Sequence, residues 1–157
     1  VYPWKEKNSI HLMSFPMLPK EWNDPNLASK WQLIRRVRRA VTASLEIERA
    51  EKRIGSSLEA APEVYIEDKK ILKALEGVDL SEICITSAIE ILNSPPPMGA
   101  YCSPEEPGIA VVPKRAKGKK CARSWRITSD VGSDSEYPDL SARDARAMRE
   151  IDNLLKA

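Results

Sequence analysis

One stretch limits the possible folds of this chain more than any other. In PNLASKWQLIRRVRRAVTASLEIER, which begins at Pro25, apolar residues recur at Leu27, Trp31, Ile34, Val37, Val41 and Leu45. At about 100° per residue, Leu27, Ile34, Val37, Val41 and Leu45 fall on one helical face. Asn23 or Asp24 can cap the start, and Pro25 suits the first turn. Gly55 is well placed to follow the C-cap, so the helix is expected to stop near Arg53. On this helix Arg36 and Arg39 point nearly opposite the apolar face, Arg35 sits to one side and Arg38 flanks the stripe. The helix can therefore pack inward and show arginines outward.

The segments around it read differently. Prolines at 3, 16 and 19 forbid a long helix before it, so residues 1–22 are expected to be irregular. LEAAPEVYIED and SEICITSAIEIL carry β-branched, partly alternating patterns, with a short helix signal in DKKILKALEG between them. Residues 94–108, SPPPMGAYCSPEEPG, read as a proline-rich surface loop with no packing pattern. GIAVVPKRA is expected to form a third strand that runs into a basic loop, and DLSARDARAMREIDNLLKA a terminal helix. The fold class expected is α+β: a long helix, a small α/β unit with a short sheet, and a C-terminal segment ending in a helix. The corresponding divisions are 1–57, 58–113 and 114–157.

Net charge is only +2, but its distribution is uneven. Lys114, Arg115, Lys117, Lys119, Lys120, Arg123 and Arg126 place seven cations and no acid in thirteen residues. Arg35, Arg36, Arg38 and Arg39 form a second cluster. Such density on a nearly neutral chain points to a polyanion partner at one face, the alternative being a solvated surface balanced by nearby carboxylates. Three cysteines spread along the chain make no disulfide framework, so a reducing, cytoplasmic compartment is expected. No apolar run approaches the roughly 18 residues of a membrane span. The first residue is Val1 rather than an initiator methionine, which suggests a piece of a longer protein.

Catalytic chemistry is sparse. His11, the single histidine, lies between Ile10 and Leu12 and reads as a satisfied structural residue. No nucleophile elbow, Walker loop, dinucleotide fingerprint or zincin motif occurs. Glu46 with Glu48, and Glu105 with Glu106, suit solvated faces. Cys84 reads as a small buried hydrophobe, and Cys102 falls in the proline-rich loop.

KCARSWR, residues 120–126, has half the frame of a zinc knuckle. A Cys-x-x-Cys pair would need a thiolate at Ser124, and a second pair at matching distance falls on Ser141 and Asp144. One thiol and one carboxylate cannot close a tetrahedral zinc site, so no metal is expected. Ser141 is instead a good N-cap, and Asp144 three residues later resembles a capping box, with Leu140 preceding it. Packing by Trp125, Tyr137, Ile127, Met148 and Leu154 is expected to supply the rest.

Five elements in order carry a more specific likeness: SIHLMSFP, W-x-x-I-R-R-V-R, ERAEKRIGSSLEAAPEVYI, DLSEICITSAIEI and GKKCARSWR with its remnant second knuckle. Together they resemble the C-terminal region of bacterial-type isoleucyl-tRNA synthetases over nearly the whole chain, KRIGSSLEA at 52–60 being the most specific element. The resemblance implies the end of a helical anticodon-binding domain, then a small α/β unit and a degenerate zinc-binding segment. It implies a role in docking tRNA(Ile), with the rest of the synthetase chain as a further partner and neither a membrane nor DNA. The HIGH and KMSKS motifs are absent, so ATP and magnesium are expected only in the catalytic part of a parent enzyme. Expected tRNA contacts are Lys114, Arg115, Lys117, Lys119, Lys120, Arg123, Trp125 and Arg126, then Arg35, Arg36 and Arg39. A free-standing RNA-binding module and a purely structural buttress are the competing readings.

Overall fold

The computed structural model describes residue 11 and residues 14–156. Helix α1 runs from Pro25 to Ala50, with the Asp24 carboxylate accepting from the N–H groups of Asn26 and Leu27 at 2.9 and 3.0 Å. It ends three residues before the expected Arg53, and Gly55 is not the residue that turns the chain. Lys52 takes the left-handed conformation at φ 57° instead. The Arg53 N–H bonds back to the Glu48 carbonyl at 2.9 Å, and the Lys52 N–H to Arg49 at 3.0 Å. This is the Schellman closure with lysine where glycine is usual. The Arg53–Glu48 ion pair holds it from outside.

A four-stranded sheet packs on α1. Its strands are β1 (Glu63–Ile66), β2 (Glu90–Leu92), β3 (Tyr101–Cys102) and β4 (Ile109–Val112), in the order β2-β1-β4-β3. β1 pairs parallel with β2 and antiparallel with β4, Val64 opposite Val111 and Ile66 opposite Ile109. Two short helices, α2 (Lys69–Leu75) and α3 (Leu80–Cys84), fill the crossover. Asp68 and Asp79 cap them by accepting from backbone N–H groups.

SEIC is thus helix rather than the strand its β-branched texture suggests. Asp79 supplies the start, and Ile85, left-handed at φ 56°, supplies the stop; only Glu90–Leu92 of that segment is extended. The proline-rich segment 94–108 also contributes more than a loop, since it contains β3.

The core joins Ile34, Val37, Val41 and Leu45 of α1 to Val64, Ile66, Ile109 and Val111 of the sheet, closed by Ile71, Leu75, Leu80 and Cys84. One apolar cluster therefore crosses the 57/58 division. Leu27 and Trp31, on the extrapolated stripe, overhang it and remain exposed. Burial pushes the Cys84 thiol up to about 12, as suits an inert core residue.

Candidate nucleic-acid interface

A two-stranded ribbon, β5 (Lys119–Lys120) with β6 (Ile127–Thr128), carries most of the basic segment. Sequence texture gave no hint of it, because each strand is two residues long. The bend that enters it depends on Gly118 at φ 127°, where a Cβ would lie 2.2 Å from the Thr128 carbonyl oxygen. No other residue type fits there. Backbone bonds tie the approach to KRIGSSLEA: Ala61 N–H to Lys114 O at 2.7 Å and Ala116 N–H to Glu59 O at 2.8 Å. A β-bridge joins Ala60 and Arg115 between them.

Between the two strands, residues 121–126 form the knuckle loop. The Trp125 N–H closes on the Cys121 carbonyl at 3.0 Å, and the Cys121 N–H on the Arg126 carbonyl at 2.9 Å. Trp125 is left-handed at φ 63°, a conformation that costs roughly 1–2 kcal/mol for a residue with a Cβ. The residue is 60% exposed, so it does not cover the knuckle as the packing expectation has it. The Lys120 ammonium stands 4.9 Å from the ring centroid, a cation–π contact. Of the other expected packing residues, Ile127, Tyr137 and Met148 are half-buried and Leu154 is exposed.

The four knuckle positions do meet. Asp144 Oδ2 accepts from Ser124 Oγ at 2.6 Å, Ser141 Oγ at 2.9 Å and Cys121 Sγ at 3.1 Å. The Ser141 N–H points at Cys121 Sγ at 3.4 Å, and Asp144 N–H returns to Ser141 Oγ at 3.3 Å. A capping box proper would send the Asp144 carboxylate to the Ser141 N–H. Here the thiol takes that N–H and the carboxylate turns inward as the hub. Cys121 is accordingly a working member of the cluster rather than a leftover.

Asp130 Oδ2 adds a bond from the Ala142 N–H at 3.0 Å, and helix α4 (Ala142–Lys156) starts from this assembly. Burial of Asp144 opposes its ionisation, but the three donors and Arg123, 3.6 Å away, outweigh it and hold the carboxyl below its usual range. Two hydroxyls, one thiol and one carboxylate, bonded to one another, are a poor donor set for zinc. Among the described residues no group of three or more His, Cys, Asp or Glu could hold a metal ion.

The expected contact residues divide sharply. Lys117, Lys119 and Lys120 are exposed and form no ion pair among the described residues. Lys114 pairs with Glu63, and Arg115 with Glu59 at 3.3 Å. Arg123 lies by Asp144, half-exposed. Arg126 turns inward, its Nη2 donating to Ser81 Oγ at 3.0 Å and the Ser87 carbonyl at 2.8 Å. It staples the ribbon to the α/β unit.

On α1, Arg36 is half-buried and Arg39 exposed, yet both are engaged within the chain. Both grip Glu106, Arg36 Nε at 2.9 Å, and Glu106 is only 3% exposed. The expectation that Glu106 sits on a solvated face fails because the loop folds back over the helix to reach those arginines. Arg38 donates to the Ile83 carbonyl at 3.1 Å, which leaves Arg35 exposed and without an ion pair among the described residues. His11 is exposed, while Ile10 and Leu12 lie outside the described residues.

No helix among the described residues is long and apolar enough to cross a membrane. No protein-family model matches the chain. Curated relatives do. An isoleucine–tRNA ligase of Brucella abortus is 58% identical over 148 residues, covering 94% of this chain and 15% of the relative. That of Bartonella henselae is 54% identical over 155 residues, 99% of this chain and 16% of the relative. That of Agrobacterium fabrum is 55% identical over 150 residues, 96% and 15% respectively. Over nearly its whole length the chain thus belongs to the isoleucine–tRNA ligase family, as a segment spanning about 15% of the length of those relatives.

Proposed function

We propose that this chain is the tRNA-docking C-terminal part of an isoleucyl-tRNA synthetase, holding the anticodon side of tRNA(Ile) while ATP-dependent isoleucylation proceeds elsewhere in the parent enzyme. The observation that carries the reading is the β5 ribbon: three lysines without carboxylate partners among the described residues beside an exposed tryptophan. Phosphates would meet Lys117, Lys119 and Lys120 as point charges. The exposed Trp125 ring, which carries Lys120 over one face, would stack on an unpaired base, a contact worth about 1–3 kcal/mol. Arg35 is the remaining candidate on α1. Lys114, Arg115, Arg123, Arg36 and Arg39 would have to exchange an internal carboxylate for a phosphate, which makes them secondary.

In this reading the chain supplies neither catalytic groups nor a metal, works in the cytoplasm and has the rest of the synthetase as its protein partner. The internal pairing of so many cations is what favours the runner-up, a buttress that braces the anticodon-binding domain without touching RNA.

A triple variant of the full-length enzyme, Lys117→Ala/Lys119→Ala/Lys120→Ala, separates the two. KM for tRNA(Ile) should rise, and the log–log salt slope of tRNA binding should shrink by about 0.7–0.9 per lost phosphate contact. Isoleucine activation should be unchanged. An unaltered KM across salt concentrations means the ribbon is a buttress.

A further inference from the structure

Arg126 follows the exposed Trp125 directly, yet its charge is spent inside the chain. Its Nη2 meets two acceptors, the Ser81 hydroxyl at 3.0 Å and the Ser87 carbonyl at 2.8 Å. The Ser81 hydroxyl in turn donates to Asp79 Oδ1 at 2.6 Å. That bond, with backbone donors and the guanidinium charge behind it, holds the Asp79 carboxyl below its usual range. The carboxylate that caps α3 therefore balances Arg126 through one hydroxyl.

Ser87 is the other half of the joint, and it is 4% exposed. Its N–H donates to the Ala60 carbonyl at 3.0 Å and its hydroxyl to the Leu58 carbonyl at 2.5 Å. The same hydroxyl accepts from the Ile127 N–H at 2.6 Å. Residues 126 and 127 are thus both tied to Ser87, and Ser87 to KRIGSSLEA.

Trp125 sits between this joint and the knuckle loop. Its N–H closes on the Cys121 carbonyl, and the Cys121 N–H closes on the Arg126 carbonyl. A left-handed residue with a side chain persists only where its surroundings over-determine it, and Trp125 at φ 63° is bracketed on both sides. A half-buried arginine is a costly way to join two elements, since an apolar side chain would do so with less desolvation. What the guanidinium adds is direction, because its donors are fixed in one plane and a lysine ammonium's are not.

We infer that Arg126 and Ser87 are positioning residues for the tRNA contact: they act through Trp125, fixing the backbone from which its ring meets an unpaired base. The inference rests on the proposed docking role.

A double-mutant cycle in the full-length synthetase, read by charging of tRNA(Ile), tests it. Arg126→Lys keeps the charge and loses the planar fork. It should raise KM for tRNA(Ile) severalfold and leave kcat at saturating tRNA near that of the parent. With Trp125→Ala already present, Arg126→Lys should change KM by no more than about twofold. A loss of stability alone would weaken charging equally in both backgrounds. Ser87→Ala removes the hydroxyl bridge without altering any charge, and it should repeat both results even if the arginine variant fails to fold. Its log–log salt slope of tRNA binding should equal the parent's, because no phosphate contact is lost. Three results overturn the inference: KM unchanged in both variants, KM effects that are the same with and without Trp125, or a shallower salt slope in Ser87→Ala, which assigns the joint to the lysines. If Trp125→Ala itself leaves KM unchanged, the inference falls with the stacking contact. The Lys117→Ala/Lys119→Ala/Lys120→Ala variant then still reports on docking, so the two failures are told apart.

Discussion

Asp144 makes the most demanding prediction, because one oxygen carries three donors in a site that is 7% exposed. Replacing it by Asn keeps the shape and removes the charge. Hydrogen bonds to a charged acceptor contribute about 1.5–3 kcal/mol against about 0.5–1.5 for neutral ones, and the thiol is the weakest of the three donors. Asp144→Asn should therefore destabilise by roughly 1–3 kcal/mol. Asp144→Ala, which strands Ser124, Ser141 and Cys121 together, should lose roughly 3–5 kcal/mol, a large share of the 5–15 kcal/mol typical of a domain. Urea unfolding followed by circular dichroism measures both.

The pH dependence adds a second check. The folded carboxyl is held below its ordinary value, so its contribution is fully present above the unfolded pKa of about 3.9 and lost as pH falls through the folded value. The gap between parent and Asp144→Asn should accordingly close on acidification below about pH 4. EDTA should move neither midpoint. Equal midpoints near neutrality, or a gap that persists unchanged into acid, would refute the hub; a midpoint lowered by EDTA would put a metal in its place.

Two further substitutions probe the parts that mount the ribbon and the helix. Gly118→Ala puts a methyl 2.2 Å from a carbonyl oxygen at φ 127°, so β5 and β6 must separate; a loss of about 2–4 kcal/mol is expected from strain plus overpacking, and a midpoint within experimental error of the parent contradicts the turn geometry. Glu106→Gln leaves Arg36 and Arg39 without their shared anion and should cost about 1–3 kcal/mol while exposing the loop at 103–108 to protease; unchanged cleavage there would mean the loop is held by something else.

How much of this was legible depended on whether the signal was local. Helix α1 and its core residues Ile34, Val37, Val41 and Leu45 follow from periodicity, and α2 follows from its cap and spacing. The order of motifs likewise identified the family. What was missed involves partners distant in sequence. Arg36 meets Glu106 seventy residues away, and Arg126 meets Ser81 forty-five residues away; a count of basic residues cannot tell a braced arginine from an available one. The ribbon was hidden because two-residue strands have no period. SEIC reads as strand because its β-branched composition masks the start that the Asp79 cap supplies. The convergence of Cys121, Ser124, Ser141 and Asp144 was legible from spacing alone, though not the inward turn of the carboxylate.

The backbone lacing of residues 59–61 to 114–116 has a consequence for how a partner would be met. A loop of lysines on a free tether must surrender its motion at the moment of contact, and that loss comes out of the affinity. Here the lacing and the Gly118 turn settle the positions of Lys117, Lys119 and Lys120 while the chain folds. The ribbon is thus a comb whose backbone is laced in place by folding itself. Substitutions in KRIGSSLEA that remove no charge and touch no partner would loosen the mount of that comb, and their effect would appear as slack in the grip rather than as a missing tooth.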